Sequence, residues 1–204
     1  YQSTNYHTQI TVLFSLFSVI HIYNSHKFRT FVIMQTVFKM EEDIIFDDNF
    51  KRMNNKNIHL YCTHALCHEG EASFLLAEKS FHMKQGDCII LPHNELVSEI
   101  TETKDFKATI VYISNHFLLN NMPKNEYDVI GKLTLLRNPI IPLTKAGQQI
   151  FMEDIEIIRK RTVNTAHHFY NELMGCLVDT FVLDLYDFHA QVYGNARFSG
   201  QQAL

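Results

Sequence analysis

The chain is poor in the residues that several classes of function require. It has 7 glycines among 204 residues and no glycine-rich loop of the kind that cradles phosphate groups. Its 4 cysteines, at positions 62, 67, 88 and 176, lack the regular framework of a small secreted domain, so we expect reduced thiols in a cytoplasmic protein. The net charge of −4 provides no general basic surface for nucleic acid.

The one marked apolar run, Ile10 to Tyr23, lacks the features of a targeting segment. No basic residue precedes it, no small-residue cleavage site follows it, and it is too short to span a bilayer. These features oppose an interpretation as a signal peptide. We expect residues 1–33 to be poorly ordered or to form an extension outside the domain.

Short β-favouring segments separated by turn residues dominate the middle of the chain. The segment from Gly70 to Pro92 alternates strand and turn with the spacing of an antiparallel sandwich or barrel. An apolar content of 46% is sufficient for a real core. The predicted strands are Ile58–Cys67, Ala72–Ala77, Ser80–Met83, Cys88–Leu91, Leu96–Thr101 and Phe106–Ile113.

Two helices are predicted after a looser, proline-punctuated section at 120–142. The first runs from about Lys145 to Arg161 with Thr144 as its N-cap, and the second from about Ala166 to Tyr193. The fold class is therefore mainly β with C-terminal helices, an α+β arrangement.

The second predicted helix carries two adjacent apolar stripes, one more than it needs to dock on its own domain. All its charged residues are acidic, so phosphate would be repelled and we do not expect it to read DNA. We expect it to contact the same helix of a second subunit across a two-fold axis. The alternative is a helix buried on both sides within one chain. The predicted dimer-interface residues are Phe169, Leu173, Leu177, Phe181 and Leu185.

The order of these elements resembles the N-terminal half of AraC-type transcriptional regulators. The resemblance rests on the Gly-Asp-x4-Pro strand at 86–92, on Gly70-Glu71-Ala72, and on the segment 137–143 that leads into the first helix. It implies a cupin-like antiparallel β-barrel, or jelly roll, that senses a small molecule, followed by helices that form the dimer. It also implies a helix-turn-helix DNA-binding domain, which we expect to lie beyond Leu204.

Catalytic cupins hold a divalent metal through histidines and a carboxylate in two motifs, and this chain departs from both. Gly86 and Pro92 match the opening of the second motif, but Asn94 stands at its second glycine and Val97 at its histidine. In the first motif Thr63 falls at the carboxylate position. At most one ligand of four remains, so we predict neither a metal nor any other cofactor.

The candidate ligand-binding residues are Tyr61, Thr63, His64 and His93. On a strand, the set containing Tyr61 and Thr63 and the set containing His64 cannot both face inward, and the sequence leaves this choice open. His93 lies on a turn after Pro92, which we expect to be solvated. No nucleophile stands beside an identifiable base, so no catalytic residue is predicted.

Three predicted regions follow: an N-terminal extension at 1–33, a cupin-like sensor domain at 34–143, and a helical dimerisation segment at 144–204 that begins the linker. We predict the effector-sensing and dimerisation region of an AraC-type regulator, not an enzyme, with an unknown small molecule and a second copy as partners. DNA would be contacted only through a domain outside this chain. The alternative is a free-standing dimeric cupin that acts as a small-molecule carrier or a metal-dependent enzyme.

Overall fold

A computed structural model describes residues 42–121 and 134–194, which fall within a single compact unit that begins at residue 42. The predicted extension at 1–33 lies outside the described residues.

Eight strands form two antiparallel sheets, as the mainly β prediction required. The larger sheet has five strands in the order β1-β7-β2-β5-β8, and the smaller has three in the order β4-β3-β6. The six predicted strands are all present, displaced by three residues or fewer at either end. The strands are β1 Ile44–Asp47, β2 Tyr61–Glu69, β3 Glu71–Leu76, β4 Lys79–Lys84, β5 Asp87–Leu91, β6 Val97–Glu102, β7 Lys107–Ser114 and β8 Ile140–Pro142.

Two buried clusters lie on opposite faces of the five-stranded sheet. We call the cluster between the two sheets the inter-sheet core; among its members are Phe50, Met53, Tyr61, Ala65, Phe74, Met83, Leu91, Ile110 and Tyr112. We call the cluster beneath the C-terminal helices the helix-side core; among its members are Leu66, Ile90, Val111, Leu135, Phe151, Ile155, Val178, Phe181 and Leu185.

Two glycines make the tight turns that bring the sheets together. Gly70, between β2 and β3, has φ +70°, and a Cβ there would lie 2.8 Å from the Phe106 backbone. Gly86 opens β5 with φ +88°. Both conformations are in the left-handed region that side chains disfavour, so the turn signals in the sequence have a steric basis.

The described fold also contains helices α1 Asn115–Asn121, α2 Lys145–Thr162 and α3 Tyr170–Tyr193, and residues 134–137 are helical too. The Thr144 side chain accepts a hydrogen bond from the Gly147 amide at 3.1 Å, which confirms the predicted N-cap. Helix α3 begins four residues later than predicted, because hydrogen-bonded turns occupy 164–170. No helix in the described part of the chain is long and apolar enough to cross a membrane.

Three short elements have no counterpart in the predicted strands and helices: β1, β8 and α1. Strands of four and three residues are too short for a period-2 pattern, and both gain stability only by pairing, β1 with β7 and β8 with β5. The start of the first predicted strand, 58–60, is instead part of a 3-10 turn, because the Asn55 side chain accepts from the Asn57 amide and caps it.

Candidate functional site

The register of β2 decides which candidate residues face the inter-sheet core. Thr63 pairs with Leu91 on one side and Tyr112 on the other, and these three side chains share the inward face. His64 pairs with Ile90 and Val111 on the opposite face. The structure therefore places Tyr61 and Thr63 between the sheets and His64 beneath the helices.

Two polar side chains of the inward face, Tyr61 and Thr63, are already hydrogen-bonded. Thr63 is fully buried, and its hydroxyl donates to Asn94 Oδ1 at 2.8 Å. Asn94, buried on the 3-10 turn before β6, donates in turn to the Ile58 carbonyl at 3.0 Å. The Tyr61 hydroxyl donates to the Glu42 carbonyl at 2.7 Å. These contacts hold the turn at 94–96 and the chain before β1 against the sheet.

A further polar side chain of this face, Tyr112, lies fully buried, and its hydroxyl has no hydrogen-bond partner. Burial raises the pKa of this phenol, with Asp47 as the next contributor, while Arg52 acts in the opposite direction. Tyr112 therefore remains protonated and has a hydrogen to donate.

Charged groups surround this part of the inter-sheet core. Arg52 Nε lies 2.5 Å from Asp47 Oδ2, which joins the 3-10 turn at 50–54 to the end of β1. Glu102, at the end of β6, accepts a hydrogen bond from the Phe50 amide at 2.5 Å. The turn at 50–54 thus bridges the two sheets, since it is tied to one strand of each.

His64 belongs to the helix-side core. Its ring meets the edge of Phe181 on α3, with centroids 5.4 Å apart, and its Nδ1 atom has no partner. Burial lowers the pKa of this histidine to about 4, so it is neutral at pH 7. His64 is therefore a contact between strand β2 and helix α3 and does not line the space between the sheets.

His93 lies on the surface at the start of the 3-10 turn at 94–96. Its Nδ1 atom is 3.1 Å from Glu95 Oε1, and both side chains are at least 40% exposed. The next residue, Asn94, is the one that enters the core. Asn94 and Tyr112 were not among the predicted site residues. Asn94 had a signal, since it replaces a motif glycine, but Tyr112 needed the strand register.

The predicted interface residues of α3 divide into two groups. Phe169 is 66% exposed, and Leu173 and Leu177 are half-buried. Phe181 and Leu185 are fully buried in the helix-side core, so for these two residues the dimer-interface prediction is wrong. The face of α3 that packs on the sheet lies between the two apolar stripes, so its buried residues come from both stripes. The outward face of α3 carries Cys176, Thr180, Leu183 and Asp187.

Within residues 42–121 and 134–194, no three His, Cys, Asp or Glu side chains come close enough together to hold a metal ion. Cys62, which the sequence places near several soft ligands, instead contacts the Pro92 carbonyl through its sulfur at 3.3 Å.

A family model described as the AraC-like ligand binding domain matches residues 48–161, more than half of the chain. The chain belongs to this family of regulatory ligand-binding domains. The match covers β2 to β7, the residues of the inter-sheet core except Ile45, and almost all of α2.

Solved structures of AraC-type regulators resemble the chain at low sequence identity. The AraC-like transcriptional activator CuxR shares 12% identity over 69% of this chain and 48% of its own, with a TM-score of 0.42. ToxT from Vibrio cholerae O395, bound to (E)-4-(8-methylnaphthalen-1-yl)but-3-enoic acid, shares 14% identity over 60% of this chain and 48% of its own, with a TM-score of 0.32. A second crystal form of ToxT from Vibrio cholerae gives 12% identity, 69% and 55% coverage and a TM-score of 0.32. The chain thus spans about half of these proteins. A comparison with curated protein sequences found no match.

Proposed function

We propose that this chain is the effector-sensing and dimerisation region of a cytoplasmic AraC-type DNA-binding transcription regulator and has no catalytic activity. A small molecule bound between the sheets would shift the geometry of the dimer. One observation carries this proposal: strand β2 presents Thr63 to the inter-sheet core and the next residue, His64, to helix α3. A ligand between the sheets would therefore press on the strand that seats the helix.

The mechanism is a population shift. A ligand changes the output only if it binds one arrangement of sheet and helix more tightly than the other. The contact of His64 with Phe181 is the place where a displacement of β2 would reach α3, because both side chains are buried and closely packed. Helix α3 is not expected to contact DNA, since it carries Glu172, Asp179, Asp184 and Asp187 and no lysine or arginine. DNA would be contacted through a domain outside this chain.

The outward face of α3 supports the dimer. Leu183 is 45% exposed at its centre, and Leu173 and Leu177 are half-buried along its edge. A two-fold contact would cover these side chains with their own copies. We expect Leu183→Lys to convert the dimer to a monomer in analytical ultracentrifugation. Leu60→Lys, at an equally exposed leucine before β2, is the matched control and should leave the dimer intact.

Cys176 provides a second measurement on the same face without any substitution. It is the exposed cysteine of α3, while Cys67 and Cys88 are buried. A short thiol-specific bifunctional reagent should therefore link two chains through Cys176, and Cys176→Ser should abolish the linked species. A monomer at all concentrations, or linkage that persists in Cys176→Ser, would contradict the proposed interface.

The DNA-related part of the proposal has a separate test. Reading the encoding gene beyond the codon for Leu204 should show an in-frame basic region with helix-turn-helix patterns. The isolated chain should give no sequence-specific shift with DNA. A stop codon soon after Leu204, together with stoichiometric iron, manganese, nickel or zinc in the purified protein, would favour the free-standing cupin instead.

A further inference from the structure

Tyr112 has the position of a ligand anchor. It is fully buried on β7 in the inter-sheet core, and its hydroxyl is the unpartnered side-chain polar atom among the described residues of that core. Buried polar groups in folded proteins are nearly always hydrogen-bonded, because an unpaired one loses its hydration without compensation. An orphan hydroxyl of this kind indicates a partner that arrives from outside the chain.

The inter-sheet core to which Tyr112 belongs is largely apolar and rich in aromatic rings. Phe50 stacks on Phe106 with centroids 5.5 Å apart, and Phe74 stacks on Phe81 at 5.7 Å. The neighbouring polar side chains, Tyr61 and Thr63, already donate to groups of the protein itself. A sugar would need several further donors and acceptors, which this lining does not offer.

The nearby charges disfavour an anion. The groups that act electrostatically on Tyr112 are two carboxylates, Asp47 and Glu102, and one guanidinium, Arg52. Arg52 is ion-paired with Asp47. A carboxylate ligand next to Tyr112 would therefore meet a net negative surrounding in a medium of low dielectric constant.

We propose that the effector is an uncharged, mainly apolar and preferably aromatic molecule. Its single hydrogen-bond acceptor accepts a hydrogen bond from the Tyr112 hydroxyl. This inference rests on the proposed effector-sensing function and specifies the chemistry of that site. The ligand's ring would pack among the phenylalanines of the inter-sheet core, and its acceptor would point towards the turn at 50–54.

Four small molecules that differ in polarity and charge test this inference on the intact chain. Acetophenone has an aromatic ring and one carbonyl acceptor, ethylbenzene lacks the acceptor, benzoate adds a negative charge, and glucose is a polyol. Dissociation constants would be measured by calorimetry for the wild-type chain, for Tyr112→Phe and for Tyr193→Phe. Tyr193 is the matched control, because its hydroxyl already donates to the Ile140 carbonyl at 2.7 Å and Tyr193 itself is not a member of the inter-sheet core.

We expect acetophenone to bind the wild-type chain and to bind Tyr112→Phe about three- to tenfold more weakly, the value of one hydrogen bond. Ethylbenzene should bind both chains equally, benzoate and glucose should bind at least tenfold more weakly than acetophenone, and Tyr193→Phe should behave as wild type. The Tyr112→Phe chain should also melt at a higher temperature without ligand, which shows that it is folded.

Other outcomes would overturn the inference about the ligand without overturning the proposed effector-sensing function. Equal binding of acetophenone to wild type and Tyr112→Phe would remove Tyr112 as the anchor, while effector binding would stand. Tightest binding of benzoate or glucose would refute the ligand class in the same way. Binding of none of the four probes would also refute it, and the proposed function would then be judged by the dimer and the DNA-binding region.

Discussion

The two faces of the five-stranded sheet are both buried, but different kinds of element cover them. The inward face meets a second sheet, and most of its polar groups are tied to the protein by hydrogen bonds, as Thr63 is to Asn94. The other face meets helices α2 and α3, and its buried histidine, His64, relies on an edge contact with Phe181. Each face keeps one incompletely bonded polar atom in its interior: Tyr112 Oη on the first and His64 Nδ1 on the second.

The comparison indicates a division of labour within one sheet. The Tyr112 hydroxyl on the inward face is a hydrogen-bond donor without an acceptor, so this face is suited to a ligand that carries one. The orphan nitrogen of the helix face is held against an aromatic ring of α3, so this face is suited to transmit a displacement. In the proposed function, adjacent residues of a single strand would connect sensing with output, so substitutions on the two faces should have separable effects.

The largest expected effect is on the free energy of unfolding, when the ring of Phe181 between the sheet and helix α3 is removed. Phe181 is fully buried and meets both His64 and Phe151 edge-on, at 5.4 and 5.3 Å between centroids. Phe181→Ala should lower the free energy of unfolding by about 3–5 kcal/mol in urea titrations. Phe169→Ala, at an exposed phenylalanine just before α3, should change it by no more than about 0.5 kcal/mol. Equal losses in the two variants would mean that α3 is not seated as described.

The second effect concerns pH and tests whether His64 is buried and neutral. Because the pKa of His64 falls from 6.5 to about 4 on folding, the unfolded chain binds a proton more readily, and stability is lost as pH falls between these values. For this residue we expect a loss of about 2 kcal/mol between pH 7 and pH 5. His64→Leu, which cannot titrate, should lack this part of the loss. The same pH dependence in wild type and His64→Leu would contradict the buried, neutral state.

The third effect compares two Tyr→Phe substitutions with opposite expected signs. Tyr112→Phe removes an unpartnered buried hydroxyl and should raise the free energy of unfolding by about 1 kcal/mol. Tyr193→Phe removes a hydroxyl that donates to the Ile140 carbonyl and should lower it by about 1 kcal/mol. Chemical denaturation of both variants without ligand measures the difference. A loss of stability in Tyr112→Phe would indicate that a bound water already satisfies the hydroxyl.

The smallest effect concerns a carboxyl pair between α2 and α3, remote from the sheet. Burial and Asp184 raise the pKa of Asp154 to about 6, so the folded state binds a proton more readily than the unfolded state. Its contribution is present at pH 4 and is lost as pH rises through 6, opposite in sign to that of His64. Asp154→Asn should therefore stabilise the chain at pH 7.5 and make little difference at pH 4. Urea titrations at the two pH values would show it, and equal effects at both would refute it.

Most of the strand and helix order was predictable because its signals are local. Gly70 and Gly86 adopt positive φ at the ends of strands, and Thr144 caps α2 through its own side chain. The late start of α3 was not predictable from apolar periodicity, which continues through 166–169 although turn hydrogen bonds prevail there. Of the candidate site residues, Tyr61 and Thr63 face the inter-sheet core. Tyr112 emerged only from the strand pairing, whereas Asn94 had a sequence signal and emerged from its hydrogen bond with Thr63.

By itself, the sequence determined the turns and the cap of α2, because these depend on residues that are close together in the chain. The order of these local signals along the chain also indicated the fold class and the resemblance to AraC-type regulators. Only the tertiary structure decided which face of β2 points between the sheets and which part of α3 remains outside. The residues of β2 from 61 to 67 are apolar or only moderately polar on both faces, so alternation alone cannot orient the strand. Likewise, the sequence does not show which of the two apolar stripes of α3 is buried. The packing of α3 on the sheet decides this, because it buries Phe181 and Leu185.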